Sequence, residues 1–222
     1  MKAFLLSAGK GERLLPFTKS KPKSLVEVGG RPLIQWNIEK LKQSGIDKFV
    51  INLFYKGNQI EDFLGDGSLW GVEIIYSYES NLLGTGGGIG KTLGIIGTEP
   101  FLLISSDIWT DFNFKNLSLG SQVLAHLVLV ENSIRKPKGD MFLDGNQIKL
   151  QGPGKNLTFS GLAILDPELF KNITKKKYGI WEEILLPAIE KGLVTGELYK
   201  GLLLNINTKE DLEKLDSYLA DE

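Results

Sequence analysis

The sequence predicts an α/β protein with a mostly parallel central sheet that helices cover on both faces. Segments with strand character alternate with segments of helical periodicity from the start of the chain, which is typical of βαβ units. The run Phe101–Ser105 is short and apolar, as expected for a strand buried at the centre of such a sheet. No apolar run approaches the ~20 residues that a membrane helix needs, so we expect a globular protein without a membrane partner.

Composition narrows the classes of function that the chain can have. Its 222 residues, of which 42% are hydrophobic, are enough for one substantial domain or for a domain with a small accessory lobe. The absence of cysteine excludes disulfide frameworks, zinc-thiolate sites and cysteine nucleophiles. A formal net charge of −1 gives no basic footprint for nucleic acid. We therefore expect no nucleic-acid partner, although local charge can still bind a nucleotide.

Periodicity and turn residues place the elements of the first half. Strands are predicted at 1–7, 48–54, 72–78 and 101–105, and helices at 32–44, 58–64 and 86–96. In the first helix Ile34, Ile38 and Leu41 share one stripe, and Gly45 follows its end. Ligands of open α/β sheets bind at the carboxyl ends of the strands, so the loops after 1–7, 72–78 and 101–105 are expected to converge there.

The second half is less regular. Strands are predicted at 123–131, 157–165 and 202–206, a hairpin joins 141–143 to 147–150, and helices are expected at 167–173 and 180–191. Thr208 is expected to cap a final helix together with Asp211 three residues later. The apolar face of that helix consists of Leu212, Leu215 and Leu219.

The first strand runs into a loop with the residues of a phosphate site. Gly9 and Gly11 allow backbone amides to approach phosphate oxygens, and Arg13 and Lys23 supply full positive charges. A dinucleotide motif is excluded because Leu14 stands where its third glycine is required. An ordinary tight turn would also use these glycines, but the two cations favour binding of a triphosphate.

A second glycine cluster occupies residues 84–90. Gly90-Lys91-Thr92 resembles the end of a P-loop, but Thr85 stands where that motif requires glycine. A glycine-rich helix start packed on the sheet would explain Gly90 and Gly94. For the dense run at 84–88 we expect close approach of the backbone to a base or ribose.

Two polar residues at strand ends are candidate metal ligands. Asp107 follows the buried strand 101–105, at the mouth of the sheet, where Mg²⁺ held by a carboxylate and phosphates would sit. Asn205 ends the last strand and can offer a neutral carbonyl oxygen. A turn or cap role is an alternative for both residues.

The order Leu-Ser-Ala-Gly-x-Gly-x-Arg from Leu6 to Arg13, then Pro-x-Thr at Pro16 and Pro-Lys at Pro22, resembles the signature of the sugar-phosphate nucleotidyltransferases. Later stretches, among them Asn52, 64–68, 85–89 and 157–161, resemble most the N-acetylmuramic acid α-1-phosphate uridylyltransferase branch. The resemblance implies a Rossmann-like three-layer α/β/α nucleotidyltransferase fold. It also implies a single domain over 1–222, with a nucleotide-binding half at about 1–111 and a sugar-phosphate-binding half at about 112–222.

The resemblance also implies a reaction and roles for residues. A nucleoside triphosphate (UTP favoured) and a sugar 1-phosphate would react with Mg²⁺ as cofactor, in a cytoplasmic protein for which a monomer is plausible. The implied catalytic residues are Arg13, Lys23 and Asp107. The implied nucleotide-binding residues are Leu6, Ala8, Gly9, Gly11, Arg13, Lys23, Gly84 and Asp107; the sugar side would be lined by Gly139, Asp140 and Gly161, and the metal would be held by Asp107 and Asn205.

The main departure from the family pattern is Asn205, where the family has a second metal-binding aspartate. The loss of one anionic ligand would weaken metal binding, which leaves two alternatives open. The protein is an active uridylyltransferase for cell-wall recycling, or it is a weakly active, nucleotide-binding regulatory paralogue. A guanylyltransferase of mannose or heptose 1-phosphate shares much of the same pattern and also stays open.

Overall fold

The computed structural model describes residues 1–132, 137–152 and 155–220. Its strands are β1 (Lys2–Leu6), β2 (Glu27–Val28), β3 (Arg31–Pro32), β4 (Lys48–Leu53), β5 (Glu73–Tyr78), β6 (Phe101–Ser105), β7 (Ile108–Thr110), β8 (Ala125–Val130), β9 (Met141–Asp144), β10 (Gln147–Lys149), β11 (Asn156–Leu165), β12 (Val194–Leu198) and β13 (Leu203–Asn205). Its α-helices are α1 (Leu33–Gln43), α2 (Gly57–Leu64), α3 (Gly84–Ile96), α4 (Leu186–Glu190) and α5 (Lys209–Ala220). A π-helical turn, Trp181–Leu185, leads into α4.

A nine-stranded sheet with the order β5-β4-β1-β6-β11-β8-β12-β10-β9 forms the centre of the described structure. The strands β5, β4, β1 and β6 are all parallel, whereas β11 runs antiparallel to both β6 and β8. Pairing continues with β12 parallel to β8 and β10 antiparallel to β12 and β9. The predicted sheet is confirmed, and its antiparallel strands lie in the second half of the chain.

Apolar side chains on the two faces of the sheet form separate clusters. Because successive side chains of a strand point to opposite faces, Phe4 of β1 belongs to the cluster under α3 and α4. Its neighbours Ala3 and Leu5 belong to the cluster under α1 and α2. This arrangement is the three-layer α/β/α architecture that was predicted. A third cluster, which includes Leu212 and Leu215, lies under α5.

Three features were not predicted from the sequence. They are the hairpin formed by the two-residue strands β2 and β3, the strand β7 and the strand β12. Strand β7 pairs with β13. Gly196 interrupts the apolar pattern of β12, and a Cβ at this position would lie 2.7 Å from the carbonyl oxygen of Leu127. The close approach of the Leu127 backbone therefore explains why a glycine stands at this position. Because the glycine interrupts the apolar pattern, the strand was not predicted.

The cap of the last helix is confirmed. The amide of Thr208 donates to Asp211 Oδ2 at 2.9 Å, and the amide of Asp211 lies 3.4 Å from Thr208 Oγ1. This reciprocal pair of contacts is the capping box that the sequence predicts.

Candidate active site

The loop after β1 is fixed at both ends. The backbone amide of Ser7 donates to Asn52 Oδ1 at 2.8 Å. Four residues later, Gly11 has a φ of +66°, and a Cβ at Gly11 would lie 2.9 Å from Thr18 Cγ2. Both the backbone conformation and the lack of space require glycine there.

Two adjoining cavities open at the carboxyl ends of the parallel strands. The first cavity, with a volume of about 230 Å³, is lined by the loop after β1, by Asn52, by the segment between β5 and α3, and by residues 105–107. The second cavity, about 450 Å³, is lined mainly by residues 9–14 together with Asp107 and Asn207. The predicted convergence of the loops after β1, β5 and β6 is therefore confirmed.

The two cavities contain many of the residues that the sequence analysis singled out. The first includes Leu6, Ala8, Gly9 and Gly84, and the second includes Gly9, Gly11 and Arg13. Lys23 and Asp107 line both cavities. The structure thus brings together every residue assigned to nucleotide binding, with the two charged residues at the junction.

Lys23 and Asp107 form an ion pair at this junction. Lys23 Nζ contacts Asp107 Oδ2 and donates to Asn207 Oδ1 at 2.8 Å, and Ser105 Oγ contacts the other carboxylate oxygen of Asp107. The side chains of Lys23 and Asp107 are only 12% and 18% exposed. This partial burial strengthens their field at the place where phosphate charge would lie.

Asn207, which the sequence analysis did not select, contributes the amide nearest to this pair. Asn207 Nδ2 donates to Asn205 Oδ1 at 2.8 Å, so Asn205 reaches Lys23 only through Asn207. Asn205 is exposed and lies outside both cavity linings. The signal for Asn207 in the sequence is the pattern Asn-Ile-Asn-Thr at the end of an apolar strand. It offers two side-chain amides, Asn205 and Asn207, and does not say which of them lies at the junction.

The donors at the junction fit a hard divalent cation that also binds phosphate. Among residues 1–132, 137–152 and 155–220, no group of three or more His, Cys, Asp or Glu side chains could hold a metal by itself. One carboxylate, Asp107, and the amide oxygen of Asn207 lie at the junction. Mg²⁺ typically takes one or two protein ligands and completes its octahedron with phosphate oxygens and water.

Most of the second glycine cluster packs against a segment of the protein itself. A Cβ at Gly86 or Gly90 would lie 2.4 or 2.5 Å from Tyr178, and one at Gly87 would lie 2.5 Å from the carbonyl oxygen of Lys176. The expectation of a base or ribose is therefore wrong for Gly86 and Gly87, whose missing side chains make room for Tyr178 and for the backbone at Lys176, while the packing expected for Gly90 is confirmed. Gly84 lines the first cavity and keeps the predicted position.

The Tyr178 segment also holds the loop at the start of α3. The amide of Tyr178 donates to the carbonyl oxygen of Leu83 at 2.9 Å, and the amide of Ile180 donates to Thr85 Oγ1 at 3.0 Å. Burial raises the pKa of the Tyr178 hydroxyl above its ordinary value, and the Glu183 carboxylate adds to this shift. Tyr178 therefore packs as a neutral side chain at neutral pH.

The first cavity contains a buried polar pair to which the sequence analysis assigned no role. Asn52 is 2% exposed and Glu79 is 6% exposed, and Asn52 Nδ2 donates to Glu79 Oε1 at 2.7 Å. Asn52 lies within an apolar strand and Glu79 directly follows β5. A polar residue at the end of a buried strand is the signal that could have found both.

Two of the residues assigned to the sugar side lie at the start of β11. The amide of Asp140 donates to the carbonyl of Leu157 at 2.7 Å, and its carboxylate accepts from the amide of Phe159 at 3.2 Å. A Cβ at Gly139 would overlap the same carbonyl. These residues support β11 and lie outside the linings of both cavities.

Gly161 lies nearer to the junction. It has a φ of +89° and sits at a bulge of β11, where the register with β8 shifts between Phe159 and Leu162. Leu162 pairs with Ile104 of β6, so Gly161 is level with the end of β6 next to the Asp107 loop.

The wall of the first cavity contains two hydroxyls without partners. Ser7 Oγ and Ser24 Oγ are both buried and make no hydrogen bond within the described residues. Buried polar groups usually have a partner, so these two hydroxyls are exceptions within the wall of the cavity.

The described residues contain no helix with the length and apolar character to span a bilayer.

Comparison with known proteins identifies the family. The profile of the nucleotidyl transferase family matches residues 2–125, more than half of the chain. The chain is 41% identical over 216 residues to N-acetylmuramate alpha-1-phosphate uridylyltransferase of Neisseria meningitidis serogroup B, and the alignment covers 94% of both proteins. It is 26% identical to D-glycero-alpha-D-manno-heptose 1-phosphate guanylyltransferase of Campylobacter jejuni, over 95% of this chain and 96% of that protein.

A solved structure agrees with the fold. HddC from Yersinia pseudotuberculosis, complexed with GMP-PN, superposes with a TM-score of 0.82 at 22% identity, over 98% of each chain. This likeness concerns the architecture alone. The profile match and the full-length relative show that the chain belongs to the nucleotidyl transferase family and is a nucleotidyltransferase.

Proposed function

We propose that this protein transfers UMP from UTP to a sugar 1-phosphate, N-acetylmuramic acid 1-phosphate being the favoured acceptor, and releases pyrophosphate. The observation that carries the proposal is the Lys23–Asp107 ion pair at the junction of the two cavities. A triphosphate that crosses this junction has its base and ribose in the first cavity. Its β- and γ-phosphates then lie against Gly11 and Arg13 in the second.

The chemistry needs no covalent intermediate. A phosphate oxygen of the sugar 1-phosphate attacks the α-phosphorus in line, the bond from that phosphorus to the bridging oxygen breaks, and pyrophosphate leaves with the electron pair. Catalysis then consists of positioning and charge neutralisation. Lys23 neutralises charge where the two substrates meet, and Arg13 holds the departing phosphates.

Enzymes of this family generally use a divalent metal, and Mg²⁺ is our proposal for this one. Asp107 would hold the ion together with the amide oxygen of Asn207 or Asn205 and oxygens of the nucleotide. When bound, such an ion neutralises phosphate charge. Asn205 is retained as a proposed ligand because its side chain contacts Asn207 directly.

The choice of base and sugar rests on the relatives. The Neisseria relative is named for uridylyl transfer to N-acetylmuramate α-1-phosphate, and its alignment covers nearly all of both chains. Gly139, Asp140 and Gly161 would support or line the sugar side, in the half at about 112–222. The product would be a UDP-sugar for cell-wall recycling, made by a monomer in the cytoplasm.

Pyrophosphate release tests this proposal. The purified protein would be incubated with Mg²⁺, each nucleoside triphosphate, and either N-acetylmuramic acid 1-phosphate, mannose 1-phosphate or heptose 1-phosphate. We expect release with UTP and the muramic acid substrate. Release with GTP and another sugar phosphate would keep the mechanism and favour the guanylyltransferase alternative, which the Campylobacter relative supports.

The second candidate function is a nucleotide-binding regulatory paralogue with little turnover. The observation that favours it is Asn205, where the family pattern has an aspartate. A robust wild-type rate would exclude this candidate. Nucleotide binding without turnover, together with a strong gain in rate on Asn205→Asp, would establish it.

A further inference from the structure

Three hydrogen bonds form a continuous chain beneath the first cavity. The amide of Ser7 donates to Asn52 Oδ1 at 2.8 Å, and Asn52 Nδ2 donates to Glu79 Oε1 at 2.7 Å. The other carboxylate oxygen of Glu79 accepts from the amide of Leu83 at 2.9 Å. We refer to these contacts of Ser7, Asn52, Glu79 and Leu83 as the relay.

The relay joins three separate segments that line the first cavity. Ser7 begins the loop after β1, Asn52 lies near the end of β4, and Glu79 directly follows β5. The helix α3 packs on the same pair, since a Cβ at Gly88 would lie 2.8 Å from both Asn52 Nδ2 and Glu79 Oε1. Glu79 therefore contacts both walls of the cavity.

The direction of each hydrogen bond is determined by the backbone. The amides of Ser7 and Leu83 can only donate, so the oxygen of Asn52 faces Ser7 and its amide nitrogen faces Glu79. Position 79 must then accept from two donors through two different atoms. A carboxylate can do this, whereas a glutamine has only one side-chain oxygen.

We propose that Glu79 is a positioning residue which, through Asn52, fixes the loop after β1 relative to the start of α3 and so sets the fit of the first cavity to the nucleotide. This proposal rests on the proposed function, because it takes the nucleotide as the occupant of that cavity. Both oxygens of Glu79 are already engaged within the protein. The proposed role of Glu79 is therefore exerted through Asn52 and Leu83.

Two single substitutions break the relay, and their combination restores it. In Glu79→Gln, one side-chain atom at position 79 becomes an NH2 donor. This donor faces either the Asn52 side-chain amide or the Leu83 backbone amide, both of which are donors as well. In Asn52→Asp, two carboxylates face each other. In the double variant, the new carboxylate at position 52 accepts from the Ser7 amide and from the new side-chain amide at position 79, while the side-chain oxygen at position 79 accepts from Leu83. Every hydrogen bond is made again with the same net charge, moved from position 79 to position 52.

Steady-state kinetics of the four proteins test the proposal. Each single variant is expected to raise KM for the nucleotide about 10- to 100-fold, the range that follows from one unsatisfied buried polar group. KM for the sugar phosphate should change less than about 2-fold, because the relay lies beneath the nucleotide cavity. The double variant should return to within about 3-fold of wild type. Glu73→Gln, an exposed glutamate at the start of β5, is the matched control.

Hydrogen exchange at the amides of Ser7 and Leu83 gives a readout that does not need turnover. Exchange should be faster in both single variants and slow again in the double variant. If the double variant regains slow exchange but keeps the high nucleotide KM, the Glu79 carboxylate contacts the ligand itself and the proposal fails. If wild type releases no pyrophosphate with any substrate, the proposed function fails, and exchange still decides whether the relay exists.

Discussion

Lys23 Nζ and Asp107 form an ion pair between residues 84 positions apart in the chain, at the junction of two cavities. Lys23 comes from the segment after β1, and Asp107 comes from the loop after β6, which is the parallel neighbour of β1. The parallel pairing thus brings a cation and an anion to one point. The first two predictions concern this pair.

Replacement of the Asp107 carboxylate should abolish most of the activity. We expect Asp107→Asn to lower kcat at least about 100-fold, because the only carboxylate of the described residues that lines the junction of both cavities is lost. Asp111→Asn is the control, since Asp111 is exposed and contacts Tyr199 outside the cavities. Equal effects of the two substitutions would contradict the assignment of Asp107.

The positive charge of Lys23 at the junction of the two cavities should be required for catalysis. Lys23→Ala is expected to lower kcat/KM at least about 100-fold, because the positive charge of Lys23 is then missing where the substrates meet. Lys21→Ala removes an exposed lysine of the same segment that pairs with Glu27, and its rate should stay within about 2-fold of wild type. A similar loss in both variants would show that general surface charge is responsible.

The glycines of α3 should respond differently to alanine. Gly94 has open space around its missing Cβ, so Gly94→Ala should raise the free energy of unfolding by about 1 kcal/mol. Gly90→Ala should lower it by about 1–3 kcal/mol, because the new methyl group would lie 2.5 Å from the Tyr178 hydroxyl oxygen. Urea denaturation measures both values.

A second substitution shows whether Tyr178 is the cause. Tyr178→Phe removes only the hydroxyl, so the cost of Gly90→Ala should be smaller in the Phe background. If the cost is unchanged there, the glycine is required for a reason other than room for Tyr178.

The ligand-free protein should be more stable with alanine at position 24 than with serine. Its hydroxyl is buried and unpaired within the described residues, and such a group costs about 1–3 kcal/mol. We expect Ser24→Ala to raise the melting temperature of the ligand-free protein by at least about 2 °C, as followed by circular dichroism. Ser20→Ala, at an exposed position, should have no such effect. A lower melting temperature for Ser24→Ala would mean that the hydroxyl has a partner in solution.

Local sequence patterns were enough to predict the parts of the site that depend on neighbouring residues. The loop from Gly9 to Arg13 is predicted because a strand runs into a segment with two glycines, and Asp107 follows a buried strand. Thr208 and Asp211 likewise form a cap within four residues. In each case the residues that determine the conformation are adjacent in the chain.

Contacts across the chain could not be read from local patterns. Asn52 and Glu79 meet because β4 pairs with β5 in the register that puts Asn52 opposite Ser77. The glycines near Gly86 are required by Tyr178, about ninety residues away, which no local pattern reveals. The choice of Asn207 over Asn205 at the junction depends on how the chain turns after β13. The division of the chain into nucleotide and sugar halves stays a prediction.

The fate of the phosphates in UTP tests the central claim most directly. Wild-type protein would be incubated with Mg²⁺, N-acetylmuramic acid 1-phosphate and UTP labelled either at the α- or at the γ-phosphorus. The account predicts that the α label appears in a UDP-sugar and the γ label in pyrophosphate, with neither transfer in EDTA. A γ label released as inorganic phosphate, or an α label that never enters a sugar nucleotide, would contradict it.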